Sequence, residues 1–148
     1  MGTTASGAVR AALLGLATGS RGTLGSAPLW ASSGGGKRAL MALAYLGEFS
    51  GDKAPGIPSR LAWPMLTSRI LSAGTGGALL ARALGAPVVP ATVVAAAVAP
   101  LGAAAGVKWR GYWSDGGRPA WVGGLIEDAC ALTLARAACR GSASAARD

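Results

Sequence analysis

The chain has 148 residues, room for one domain, with 51% hydrophobic and only 14% charged residues, against about 25% charged in an ordinary soluble domain. Its net charge of +8 comes from 14 bases, eleven of them Arg, against six acids. The bases stand singly at the ends of apolar runs, without the clusters and aromatic platforms of a nucleic-acid face; nucleic acid is thereby excluded, and anionic lipid headgroups are the expected contact.

Residues 1–7 read as an N-terminal tail. Met1-Gly2-Thr3-Thr4-Ala5-Ser6 matches a myristoylation pattern, and Arg10 before an apolar run resembles the start of a signal peptide. The run is short, however, and Ser20-Arg21-Gly22 interrupts it without a cleavage site, so a retained membrane segment is expected. Residues 8–19 read as helix, 19–23 as a polar, glycine-rich break, and 24–32 as a resumption with Pro28 inside. Gly15 and Gly19 form a GxxxG pair, which lets another backbone approach closely. A charged residue in such a break points to a helix interrupted within the membrane or to two short helices meeting at its surface.

Gly34-Gly35-Gly36 reads as a loop, with Lys37 and Arg38 at its exit. Residues 39–49 are apolar but number only eleven, about 17 Å of helix against a hydrocarbon core of ~30 Å. They read as a re-entrant element, a buried short helix, or a span completed by shielded polar residues. The next stretch, 45–60, places Glu48, Asp52, Lys53 and Arg60 among Gly51, Pro55, Gly56 and Pro58. It cannot cross lipid as a free helix, because each ionised side chain at mid-bilayer costs about 2.5–3.5 kcal/mol. Residues 54–57 are expected to be extended or turned, since each proline disfavours helix just before it.

Residues 61–84 are long enough to span, with Gly74, Ala78 and Arg82 on one face; Gly85-Ala86-Pro87 is a stop signal. Residues 88–106 make the clearest span, nineteen residues without a charge. They hold Pro90 in the first turn, a kinking Pro100, and a second GxxxG pair in Gly102 and Gly106. Residues 108–118 read as an interfacial loop, with Trp109, Tyr112 and Trp113 at headgroup depth beside Lys108 and Arg110. Residues 119–139 form the last span, and 140–148 a disordered tail. Nine residues along one helix separate Cys130 from Cys139 on opposite faces, so they cannot pair and read as two buried thiols. The fold expected is all-α: a membrane bundle over residues 8–139, of four to five helical segments with at least one interrupted or re-entrant.

Chemistry has few places to reside. No His is present, which removes the commonest general base and metal ligand, and no metal, nucleotide or nucleophile motif stands out; no cofactor is expected. Two acidic sites remain: Glu48 with Asp52, and Glu127 with Asp128 deep in the last span. The second pair would cost about 5–7 kcal/mol ionised in lipid, so it must be paired, titrate, or meet a polar cavity. Arg21, Arg69 and Lys53 are the candidate partners. Such ion pairs can lock helices together, or Arg21, Glu48, Asp52 and Glu127 can line a polar pathway; both readings stay open.

Four short blocks, in order, carry a resemblance. Gly15-Leu16-Ala17-Thr18-Gly19-Ser20-Arg21 resembles the opening signature of the bacterial multi-pass membrane proteins catalogued as domain of unknown function 4126. Gly47-Glu48 through Asp52-Lys53-Ala54-Pro55-Gly56 is similar to that family's acidic and Asp-Lys-x-Pro motif. Residues 103–110 and Leu125-Ile126-Glu127-Asp128-Ala129 resemble its C-terminal pieces. The chain departs from the pattern at Gly22-Thr23-Leu24, where the family has bulkier residues. The resemblance implies a multi-pass protein of the bacterial inner membrane without an established activity, and draws attention to Arg21, Glu48, Asp52, Lys53, Glu127 and Asp128. The function expected is that of a small transporter or channel-like protein, with a structural or assembly subunit as the alternative and an enzyme acting on lipid the weakest of the three. Expected partners are the lipid bilayer and a second copy or a larger membrane complex.

Overall fold

The computed structural model describes residues 2–51 and 61–142. Among them are six α-helices, one 3₁₀ segment and no strand: α1 (Gly2–Ser20), the 3₁₀ segment (Gly22–Ser26), α2 (Ala27–Ser32), α3 (Gly35–Gly51), α4 (Trp63–Leu84), α5 (Val88–Asp115) and α6 (Ala120–Ala138). The chain is all-α. Ala and Leu, the strongest helix formers, fill the helices; α1 and α2 end at the extended residues Arg21 and Ser33, and α4 at a left-handed glycine. Gly85 ends α4 at φ 62°; its N–H and that of Ala86 reach back to Arg82 O and Ala81 O, which satisfies two carbonyls of the last turn.

α1 lies at the centre, against α5, α4 and α6. The interior is built from small residues: Ala11, Ala17, Ala73, Ala95, Ala99 and Ala103 are buried, and among the described residues Leu14, Leu24 and Leu80 are the only larger aliphatics buried beside them. The helices therefore touch backbone to backbone. A Cβ on Gly15 would lie 2.5 Å from Ala95 O, one on Gly77 2.6 Å from Ala91 O, and Cβ atoms on Gly19 and Gly102 would run into Ala99 O and Leu16 O. The large aliphatics point outward instead, among them Leu40, Leu43, Leu71, Val89 and Leu101, all more than 60% exposed.

Several boundaries differ from the sequence expectation. Helix α1 begins at Gly2, so it runs back through the segment expected as a tail. Helix α3 starts at Gly35 and has 17 residues rather than eleven, about 26 Å; two of the three glycines lie in its first turn, where amides need no intrahelical partner. Only Ser33 and Gly34 separate it from α2. Helix α5 runs on to Asp115, which makes most of the expected interfacial loop helical. It persists because Trp109 Nε1 donates to Gly123 O at 2.9 Å and Trp113 Nε1 to Pro119 O at 2.7 Å, fastening its last turns to the start of α6. Gly141 and Ser142, expected in a disordered tail, are ordered: Ser142 is buried and its hydroxyl donates to Cys139 O. With six helices and the 3₁₀ segment, the described chain holds more pieces than the four to five expected. Among the described residues one helix, α5, is long and apolar enough to cross a membrane, with a mean hydropathy of 1.9 over its apolar window. The residues expected to be extended, 54–57, lie outside the described chain.

Candidate functional site

The site forms where α1 breaks. Arg21 takes an extended backbone, φ −136° and ψ 106°, between α1 and the 3₁₀ segment. A break of this kind strands the last carbonyls of one helix and the first amides of the next, and buried backbone groups must be paired. Arg69 of α4 supplies one half of the answer: its Nη1 donates to Gly19 O and Ser20 O, each at 2.8 Å. Glu48 of α3 supplies the other. Its Oε1 accepts from Gly22 N–H at 2.8 Å, and its Oε2 from Thr23 N–H at 2.9 Å and the Thr23 hydroxyl at 2.7 Å. A cation thus faces the carbonyl end of α1 and an anion the amide end of the 3₁₀ segment, the arrangement that helix-terminal charges favour. Arg69 Nη2 also meets Glu48 Oε1 at 3.3 Å, and the Ser72 hydroxyl donates to Gly22 O at 2.6 Å.

The Arg21 side chain reaches α6, where its Nε donates to Asp128 Oδ1 at 2.5 Å. Arg21 is 1% exposed and Asp128 6%. Consecutive helix residues point about 100° apart, so Glu127 leaves the helix in a different direction. It turns toward α5, accepting from Arg110 Nε at 2.9 Å. The two carboxylates of one span thereby tie α6 to α1 and to α5 separately. Pairing is what allows such burial, because a buried charge deprived of its partner costs about 3–5 kcal/mol. Among the described residues the Tyr45 hydroxyl is buried with no hydrogen-bond partner, and Tyr45 packs against the buried cluster that includes Leu14, Leu24, Leu80 and Ala131.

Of the residues singled out from sequence, Arg21 and Asp128 meet directly, Glu48 closes the break, and Glu127 pairs elsewhere. Gly15, Gly19 and Gly102 meet in the α1–α5 contact, while Gly106 is buried on α5 along a groove described below. Asp52 and Lys53 lie outside the described residues. Arg110, expected beside lipid headgroups, also pairs with Glu127, and Thr23 and Ser72 were not singled out from the sequence. Ser72 follows Arg69 by three positions and so shares its face of α4, a signal that was available. The cysteine expectation is corrected in part. Cys130 is exposed and Cys139 only partly buried; Cys130 sits on an outward turn of α6, whereas burial pushes the Cys139 thiol, just past that helix, up to about 11 against a smaller downward pull from Arg10.

Beside the site runs a groove of about 490 Å³ between α5 and α6, floored by Leu16 and Ser20 of α1. Glu127 is its one ionisable carboxylate. Compared with family models, with curated proteins and with solved structures, the chain matches none.

Proposed function

We propose that the chain is a multi-pass protein of the bacterial cytoplasmic membrane, and that the interrupted first helix is its polar site, in the manner of a small transporter or channel-like protein. One observation carries the membrane reading: the polarity of the bundle is turned inside out. Arg21, Arg69, Glu127 and Asp128 are buried while leucines and valines cover the outside. Exposed apolar surface on that scale is not sustained in water, and each such side chain favours an apolar surrounding by about 1.5–3 kcal/mol. The most apolar helix is also unlike the core helix of a soluble protein, since only 28% of its apolar window is buried. With 19, 22 and 19 residues, α1, α4 and α6 reach about 28–33 Å, close to the ~30 Å hydrocarbon thickness. Of their charges, Arg69, Glu127 and Asp128 are paired inside the bundle, which offsets part of the insertion cost that keeps these helices from looking like spans, and the exposed Arg82 and Arg136 stand in last turns, from which a long side chain can reach the surface. The four-block resemblance to the domain of unknown function 4126 family belongs to the same proposal.

The transport reading rests on the break itself, because unwound backbone lined by charges at membrane depth is where transporters hold ions and substrates. Protein in liposomes loaded with a pH-sensitive dye, under an imposed potassium diffusion potential, is expected to pass protons or alkali cations faster than empty liposomes. Glu48→Gln keeps an acceptor for the break's amides and removes the charge, so it is expected to alter that flux while the helical circular dichroism is unchanged. Wild-type flux equal to that of empty liposomes for protons, sodium, potassium and chloride would refute transport of these ions. A second reading, a structural or assembly subunit, is favoured by the pairing of Arg21, Arg69, Glu48, Glu127 and Asp128 within the chain. It expects no flux, and cross-linking in the membrane that captures a second copy or a stoichiometric partner.

A further inference from the structure

We infer that the groove between α5 and α6 is a binding site for one acyl chain of an anionic phospholipid, whose headgroup lies against Lys108 and Arg110; the inference rests on the membrane reading above. The groove exists because α6 leans mainly on α1 rather than on α5, and because Gly102, Ala105 and Gly106 present no bulk along the facing side of α5. At one end the helices are fastened by Trp109 to Gly123 and by Arg110 to Glu127. Away from that end they part.

The wall defines the occupant. Its strongly polar groups are engaged within the protein, Glu127 with Arg110, the Ser20 hydroxyl with Gly102 O at 3.3 Å, and Trp109 Nε1 with Gly123 O, and the Cys130 thiol, also in the wall, is only a weak hydrogen-bonding group. Nothing in the wall calls for a polar ligand, so an occupant touches it through hydrocarbon. The volume of about 490 Å³ falls within the ~300–1,000 Å³ of ligand cavities. From Ile126 to Leu134, both in the wall, α6 rises about 12 Å, a length that suits an extended chain rather than a compact solute. The fastened end carries the charge that selects the headgroup. Lys108 is exposed there, the Arg110 side chain is 35% exposed, and Trp109, Tyr112 and Trp113 stack beside them, as interfacial aromatics do. The one acid in the wall, Glu127, is neutralised by Arg110, so the mouth is positive and complements a phosphate.

The test uses the full chain in nanodiscs of phosphatidylglycerol or of phosphatidylcholine, each doped with the matching lipid bearing a photoactivatable acyl chain. Cross-links are expected to concentrate on residues 102–109 and 126–134, above the level on the exposed leucines of α3. Phosphatidylglycerol should label these segments about fivefold more than phosphatidylcholine, and Lys108→Ala should remove most of that ratio, as the loss of one base near an anionic surface predicts. Ala105→Trp and Cys130→Trp, both at exposed positions on the groove's rim, should fill it and lower its labelling while labelling of α3 persists. Uniform labelling of all exposed apolar faces, or equal yields from the two lipids, overturns the inference and leaves the membrane reading standing. Protein that fails to float with lipid vesicles and stays monodisperse without detergent overturns both.

Discussion

Gly19→Ala isolates the feature on which the bundle depends most, the direct backbone contact between α1 and α5. The added methyl would run into Ala99 O and lie 2.8 Å from Ala103 N and 2.9 Å from Gly102 Cα. All three are main-chain atoms, so no rotamer change can relieve the clash and the helices must separate. Overpacking of one methyl costs about 1–3 kcal/mol, and rigid neighbours place this case at the upper end, near 3. Alanine returns about 1 kcal/mol of helix propensity over glycine, which leaves a net loss of about 2 kcal/mol. For a chain of this size each kcal/mol moves Tm by about 2–4 °C, so a fall of about 4–8 °C is expected. Gly47→Ala is the matched control: among the described residues nothing lies within 4 Å of its missing Cβ, so the propensity gain stands alone and Tm should rise by about 2–4 °C. Circular dichroism melts of both variants in one mild detergent give the comparison. A Gly19→Ala protein as stable as the wild type would show that α1 and α5 do not meet as described.

Asp128→Ala leaves the Arg21 guanidinium buried and should lower stability by about 3–5 kcal/mol; the double variant Arg21→Met with Asp128→Leu should recover most of the loss in the same melts, and a single variant as stable as the wild type would argue against the buried pair. Cys139, its thiol raised to about 11 by burial, is almost wholly protonated at neutral pH and should react slowly there with a membrane-permeant maleimide. Because the thiolate is the nucleophile, labelling of Cys139 in a Cys130→Ala protein should rise about tenfold per pH unit and level off only near pH 11; a rate flat above pH 9 would contradict the burial of that thiol.

How far the site could be read in advance depends on the range of each interaction. That Glu127 and Asp128 needed cations follows from where they lie in an apolar run, and that Arg21 marks a break follows from the glycines around it. The choice of partner does not follow. Arg69 was a candidate for the acids of the last helix, yet its Nη1 donates to the carbonyls of Gly19 and Ser20, because the break creates acceptors that exist only once α1 has stopped. Arg110 was assigned to headgroups because its neighbours are aromatic; only the continuation of α5 to Asp115 brings it opposite Glu127. The lengths of α3 and α5 were misjudged because glycine and charge signal a stop locally. In α5 the hydrogen bonds of Trp109 and Trp113 to the start of α6 override that signal, and in α3 the glycines fall in the first turn, whose amides need no intrahelical partner.

What the amino acids determined alone is the helical class, the break at Arg21 and the set of charges that had to find company, since helix propensity, glycine placement and the cost of an ion in an apolar medium are properties of short stretches. The tertiary structure decided who pairs with whom: that Glu48 and Arg69 cap the two stranded helix ends, that Asp128 and Glu127 part company toward different helices, and that α5 and α6 leave a groove between them. Those outcomes depend on which faces of separate helices come together, and that is set by how closely alanine and glycine backbones can approach across the whole bundle.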